Sequence, residues 1–174
     1  MRGGAAAVFL ALLGAGCPGA PEDDILPLTV TSPAFQKGEP IPARFTCEGD
    51  DLSPALRISG VPPAAKALAL VMDDPDAPRG LWTHWTAWDL PPGLSEVPEG
   101  FRPASQGGVE GKTSAGATGY HGPCPPSGTH RYFFHVYALD GRLGLASGSD
   151  RAALDRAMRG HVVAEGSVMG TFAR

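Results

Sequence analysis

A chain of 174 residues is long enough for one domain and too short for two comfortable ones. Hydrophobic residues make up 43%, so a sizeable core can form, while 24 glycines and 18 prolines favour many short strands joined by turns over a few long helices. The 14 basic side chains are outnumbered by 18 acidic ones, for a net charge of -4, and they are scattered, which argues against a nucleic-acid partner because phosphate-backbone binding needs clustered cations.

Taken in chain order, the first element is a leader. Arg2 precedes an apolar stretch, Ala5 to Leu13, of signal-peptide length and far short of the ~20 residues that a membrane span needs. Small residues Gly14, Ala15 and Gly16 then lead to Cys17, which suits cleavage before the cysteine and its acylation in a bacterium. Leu13 sits one place further from the cysteine than in the usual lipid-attachment signal, so an ordinary secretory signal with an incidental cysteine is the alternative. Residues 1–16 are thus read as a signal peptide, 17–27 as a flexible tether rich in proline, glycine and acids, and 28–174 as the folded domain. The expected location is outside the cytoplasm, in the periplasm or membrane-anchored as a lipoprotein, with the lipid anchor as the only membrane contact.

Within the domain, Lys66 to Met72 reads as a strand buried on both faces. Trp82 to Asp89 is a second strand, with Trp82, His84, Thr86 and Trp88 expected on one face and Thr83, Trp85 and Ala87 on the other. His130 to Leu139 is a third, with His130, Tyr132, Phe134, Val136 and Ala138 sharing a face opposite Arg131, Phe133, His135, Tyr137 and Leu139. Asp150 to Arg159 reads as a helix capped by Asp150 and ended by Gly160, and His161 to Phe172 returns to strand. Many strands with one late helix predict a β-sandwich or similar antiparallel architecture.

Two proline-stiffened loops stand out, Asp73 to Pro78 (D-D-P-D-A-P) and Gly119 to Tyr132 (G-Y-H-G-P-C-P-P-S-G-T-H-R-Y). If they meet, Asp74 and Asp76, His84, and His130 with Tyr132 surround one spot. Imidazolium and phenol groups donate hydrogen bonds to an anion, and a carboxylate behind a histidine orients its ring and favours its charged form. Anion binding is then expected to weaken as pH rises. For any one histidine taken alone the plainer reading is a satisfied strand residue. His135 on the opposite face is read that way, and His121 as a simple loop residue.

D-P-D-A-P, H-W on the next strand, and G-P-C-P-P-S-G-T-H-R-Y-F-F-H-V-Y-A-L-D strongly resemble the phosphatidylethanolamine-binding protein family, in its bacterial Raf-kinase-inhibitor-like branch. F-T-C-E-G at Phe45–Gly49, L-S-P-A-L at Leu52–Leu56, and M-R-G-H-V-V-A-E-G-S-V-M-G-T-F near the end extend the resemblance over Leu28 to Arg174. It implies a mostly β fold, a sandwich of antiparallel sheets with a few peripheral helices. It also implies a non-enzymatic binding protein with a small anion pocket, for phosphate or a phosphoethanolamine-like phospholipid head group, built from Asp74, Asp76, Pro78, His84, Pro126, His130 and Tyr132. No cofactor is expected. Ile58 stands where the family usually has tryptophan, and Thr113-Ser114-Ala115-Gly116 replaces a pattern with asparagine and an aromatic.

Three further expectations accompany this. The same surface would engage a protein partner in an inhibitor of a protease, kinase or lysozyme, and a homodimer is open. A hydrolase is the enzymatic alternative, either with Cys124 as a thiol nucleophile or with a metal held by His84, His130 and Asp74. Finally, with Cys17 in the tether, Cys47 and Cys124 form an even pair in turn-rich segments of an exported protein, so a disulfide between them is expected, with two buried free thiols as the alternative.

Overall fold

The alternating runs become the long strands of one sheet. The computed structural model describes residues 25–174, so the expected signal peptide, the Cys17 lipidation site and most of the tether lie outside the described residues. In chain order the elements are β1 (Leu26–Pro27), β2 (Thr29–Thr31), β3 (Leu56–Ser59), β4 (Ala67–Asp74), β5 (Trp82–Leu90), β6 (Glu96–Val97), β7 (Val109–Glu110), β8 (Thr129–Leu139), α1 (Arg151–Met158) and β9 (Val162–Ala173). Short 3-10 turns occur at Ala43–Phe45 and Pro103–Gln106.

The strands form a six-stranded sheet in the order β1-β9-β8-β4-β5-β7 and a three-stranded sheet in the order β2-β3-β6. The mostly β, two-sheet fold with peripheral helices is as expected. Neighbouring strands among the described residues run antiparallel except β1 on β9, where Leu26 and Pro27 lie parallel to Ala164 and Glu165. Those two residues, placed by sequence at the end of the tether, therefore add an edge strand to the large sheet.

β4 is buried at every position because both its faces are covered. Leu68, Leu70 and Met72 face the core between the sheets, together with Trp85, Tyr132, Phe134 and Val136. Ala69 and Val71 face the other way, into a second cluster with Trp88, Leu154 and Met158 beneath α1. The helix starts where Asp150 accepts a hydrogen bond from the Ala153 amide at 2.8 Å, an N-cap that satisfies an otherwise orphaned donor. Its first residue, Arg151, pairs with both Asp73 and Asp155, which ties the helix to the end of β4. Ile58, at the expected tryptophan position, is buried in the smaller sheet.

One irregularity positions the site. Met72 pairs with Trp85 and Asp73 with Thr83, so His84 is an extra residue in β5 opposite no partner. Such a β-bulge resets the alternation of faces. Thr83 turns outward and donates to the Asp73 carboxylate at 2.9 Å, while His84 turns inward, edge-on to Tyr132. The expected face shared by Trp82, His84, Thr86 and Trp88 is therefore broken at the bulge, which a strict period of two cannot register.

Candidate functional site

Where the inner face of the large sheet runs out, the ends of β4 and β5 and the start of β8 leave a cavity of about 430 Å³. It is closed by the two loops that stand out in the sequence. Asp74, Pro78, His84, Pro126 and His130 all line it, so five of the seven family-implied residues meet at one place.

The two histidines are oriented by their hydrogen bonds. His130 Nδ1 lies 2.7 Å from the buried Asp74 carboxylate, and His84 Nδ1 lies 2.7 Å from the carbonyl of His121. A carboxylate and a carbonyl can only accept, so both rings carry the proton on Nδ1. Each therefore keeps its other nitrogen for whatever enters the cavity. At His84 burial holds the pKa below the ordinary histidine value, against the hydrogen bond to His121 and the charge of Asp74. Burial thus wins over the expected carboxylate effect, and the resting His84 ring is neutral, its free nitrogen an acceptor.

Asp76 and Tyr132 sit elsewhere. Asp76 accepts from the Arg131 backbone amide at 2.9 Å and from its guanidinium at 2.9 and 2.7 Å, and these bonds hold its pKa down to about 2. It locks the Asp74–Gly80 turn onto β8 and does not face the cavity. Tyr132 is fully buried behind His84, edge-on to that ring with centroids 5.2 Å apart. Burial raises its pKa. The Cys124 amide approaches its hydroxyl without reaching hydrogen-bond geometry, so the hydroxyl is left without a partner, a costly condition for a buried donor.

Three cavity residues do not stand out in the sequence. His121 stacks on His84 with centroids 6.0 Å apart, Trp82 forms a wall, and Arg79 stands at the rim. Arg79 directly follows D-P-D-A-P, and His121 lies within the second marked loop, so their place at or in these loops is the available signal. The second loop is clamped at several points: Tyr120 donates to the Phe45 carbonyl at 2.7 Å, the Gly122 amide to Asp51 at 2.6 Å, and the His121 amide to the His84 carbonyl at 3.0 Å. A Cβ at Gly122 would come within 2.6 Å of the Phe45 carbonyl, so only glycine allows this approach.

Cys47 and Cys124 form the expected disulfide, with Cα atoms 5.5 Å apart. This removes the thiol nucleophile of the hydrolase alternative, and two free thiols with it. Among the described residues no three His, Cys, Asp or Glu side chains are grouped to hold a metal ion, so His84, His130 and Asp74 do not form the alternative metal centre. A groove of about 420 Å³ beside α1 brings Asp155 and Arg159 to a largely apolar lining, without a buried titratable pair.

The sequence matches the family model described as phosphatidylethanolamine-binding protein over residues 31–173. The chain belongs to the phosphatidylethanolamine-binding protein family. Relatives include a UPF0098 protein of Pyrococcus horikoshii, 45% identical over 174 residues, covering 95% of this chain and 85% of the relative. Another, from Methanothermobacter thermautotrophicus, is 48% identical over 145 residues, covering 81% of this chain and 95% of its own. Among solved structures, a phosphatidylethanolamine-binding protein homolog from Chlamydia trachomatis superposes with a TM-score of 0.80 at 41% identity, covering 84% of this chain and 97% of that one. E. coli YbcL, described as a member of the mammalian family, gives 0.79 at 30% identity, covering 84% and 98%. The family resemblance carried by the two loop motifs and the two-sheet fold are both borne out.

Proposed function

We propose that this phosphatidylethanolamine-binding protein family member is a non-catalytic binding protein whose cavity takes a small anionic group of the phosphate or phosphoethanolamine head-group kind. The observation that carries the reading is the pair of rings, His130 held by Asp74 and His84 held by the His121 carbonyl, each with one nitrogen left for a ligand in the same cavity. A histidine–carboxylate pair also suits a hydrolase that works through a side-chain nucleophile. Among the described residues no serine or threonine lines the cavity, and its one cysteine is in a disulfide.

Export forms part of this proposal. The Cys47–Cys124 disulfide supports it, because disulfides persist mainly in oxidising compartments. Intact-mass analysis of the protein made in a bacterial host should show loss of residues 1–16, with added acyl mass if Cys17 is lipidated. A soluble product retaining Met1 would sink this part of the proposal.

Calorimetric titration with taurine tests the anion reading, since a sulfonate stays charged from about pH 5.5 to 8.5 whereas phosphate ionises near ~6. A bound anion favours imidazolium and raises the His84 pKa from its burial-depressed free value, with the hydrogen bond to the His121 carbonyl and the charges of Asp74 and Asp73 acting in the same direction and only the His121 ring against it. Affinity should therefore rise as pH falls through the complexed-state pKa and level off below the free-state one. His130→Gln should weaken binding by about 1.5–3 kcal/mol, the cost of a charge-assisted hydrogen bond, and Tyr132→Phe by less. Affinity that is flat with pH and indifferent to both substitutions would remove the anion reading.

A further inference from the structure

With His84 neutral at rest and Asp74 negative, the cavity needs a fixed positive charge from somewhere else if an anion is to be held at neutral pH. Three arginines stand near its mouth. Arg131 is committed to Asp76 through two guanidinium nitrogens. Arg174 is paired with Glu48 at 3.2 Å and donates to the Cys124 sulfur. Arg79 lines the cavity and forms no ion pair among the described residues.

The turn that carries Arg79 is built to hold it in place. The Asp76 amide donates to Asp74 at 2.8 Å, and the Gly80 amide closes the turn on the Ala77 carbonyl at 2.9 Å. Gly80 takes φ +95°, a left-handed conformation that side chains other than glycine's resist, so the residue after Arg79 is suited to the bend. Asp76, bound to Arg131, fastens the same turn to β8. A guanidinium presents a planar fork that matches two phosphate oxygens at once, which an ammonium cannot do.

We infer that Arg79 is the specificity-determining residue of the cavity, supplying the fixed counter-charge that selects a phosphate group at its rim while His84 and His130 hold it from within. The inference rests on the anion reading above. It gives the D-P-D-A-P turn a second role, because Asp74 orients His130 and the residue just beyond the turn brings a cation to the same cavity.

The test is calorimetry of O-phosphoethanolamine and inorganic phosphate with wild type, Arg79→Gln, Arg79→Lys and His130→Gln, at low and high ionic strength. Arg79 is exposed, so these two substitutions should leave the melting temperature unchanged. Arg79→Gln is expected to weaken both ligands about tenfold and to flatten their salt dependence, with Arg79→Lys intermediate. Co-sedimentation with phosphatidylethanolamine vesicles separates the two sources of the phosphate. Vesicle binding lost in Arg79→Gln assigns a lipid head group, and binding of the soluble ester alone assigns a free one. Wild-type binding that His130→Gln weakens and Arg79→Gln leaves intact would overturn the inference while sparing the cavity. No binding by wild type would overturn both.

Discussion

Replacing Trp85 with alanine should lower the stability of the fold by about 3–5 kcal/mol, as for other large aromatic deletions from cores. Trp85 is fully buried between the sheets, next to the His84 bulge. Its indole N–H donates to Glu110 at 2.9 Å, and Tyr120 packs edge-on against it with centroids 5.7 Å apart. The deletion therefore leaves a cavity, frees a carboxylate partner and removes the support under the loop that carries His121. Trp85→Phe keeps most of the volume and loses only the indole hydrogen bond, so its cost should be nearer ~1–3 kcal/mol. Urea denaturation of both variants measures the difference. A loss below ~1 kcal/mol for the alanine variant would show that the core relaxes to fill the space, contrary to this packing.

Removing the Cys47–Cys124 disulfide, as a Cys47→Ser, Cys124→Ser double variant, should cost about 2–5 kcal/mol. The two cysteines are 77 residues apart in sequence, so the cross-link restricts a long stretch of unfolded chain. Its consequence extends beyond stability, because Cys124 lines the cavity and its loop carries His121, Pro125 and Pro126. Part of the loop is held independently by Tyr120 and by the Cys47 amide, which donates to the Pro123 carbonyl at 3.1 Å. The double variant should accordingly still fold, but with a lower melting temperature and weaker anion binding. Thermal unfolding of the wild type with and without reductant gives the same comparison without mutation. Coincident melting curves would contradict a stabilising cross-link.

The long strands are legible in the sequence because β8 and β9 alternate along nearly their whole length, and β4 is apolar on both faces. The helix is legible from its Asp150 cap and the apolar spacing of Leu154 and Met158. The bulge at His84 is not, since an inserted residue leaves no mark on composition and shows only when two strands are set in register. It is also what brings His84 to the cavity beside Trp82, while Trp88, expected on the same face, packs on the other side of the sheet. His121 reads as a bystander because its role depends on a backbone carbonyl and a stacked ring, neither of which a side-chain pattern records. Asp76 groups with the pocket by motif, but its partner Arg131 lies 55 residues away in sequence, and only the folded turn reveals that the pair is structural.

An anion seated between His84, His121 and His130 should leave its mark on those rings and on no others. The chain has five histidines, and the other two lie apart from the cavity: His135 is stacked between Phe133 and Tyr137 on the outer face of β8, and His161 pairs with Asp140. Side-chain nitrogen resonances of all five can be followed by NMR while O-phosphoethanolamine is added at constant pH. Saturable shifts are expected at His84, His121 and His130, with His135 and His161 unmoved. Shifts confined to His135 or His161, or no saturable shift at any ring, would contradict the cavity as the anion site.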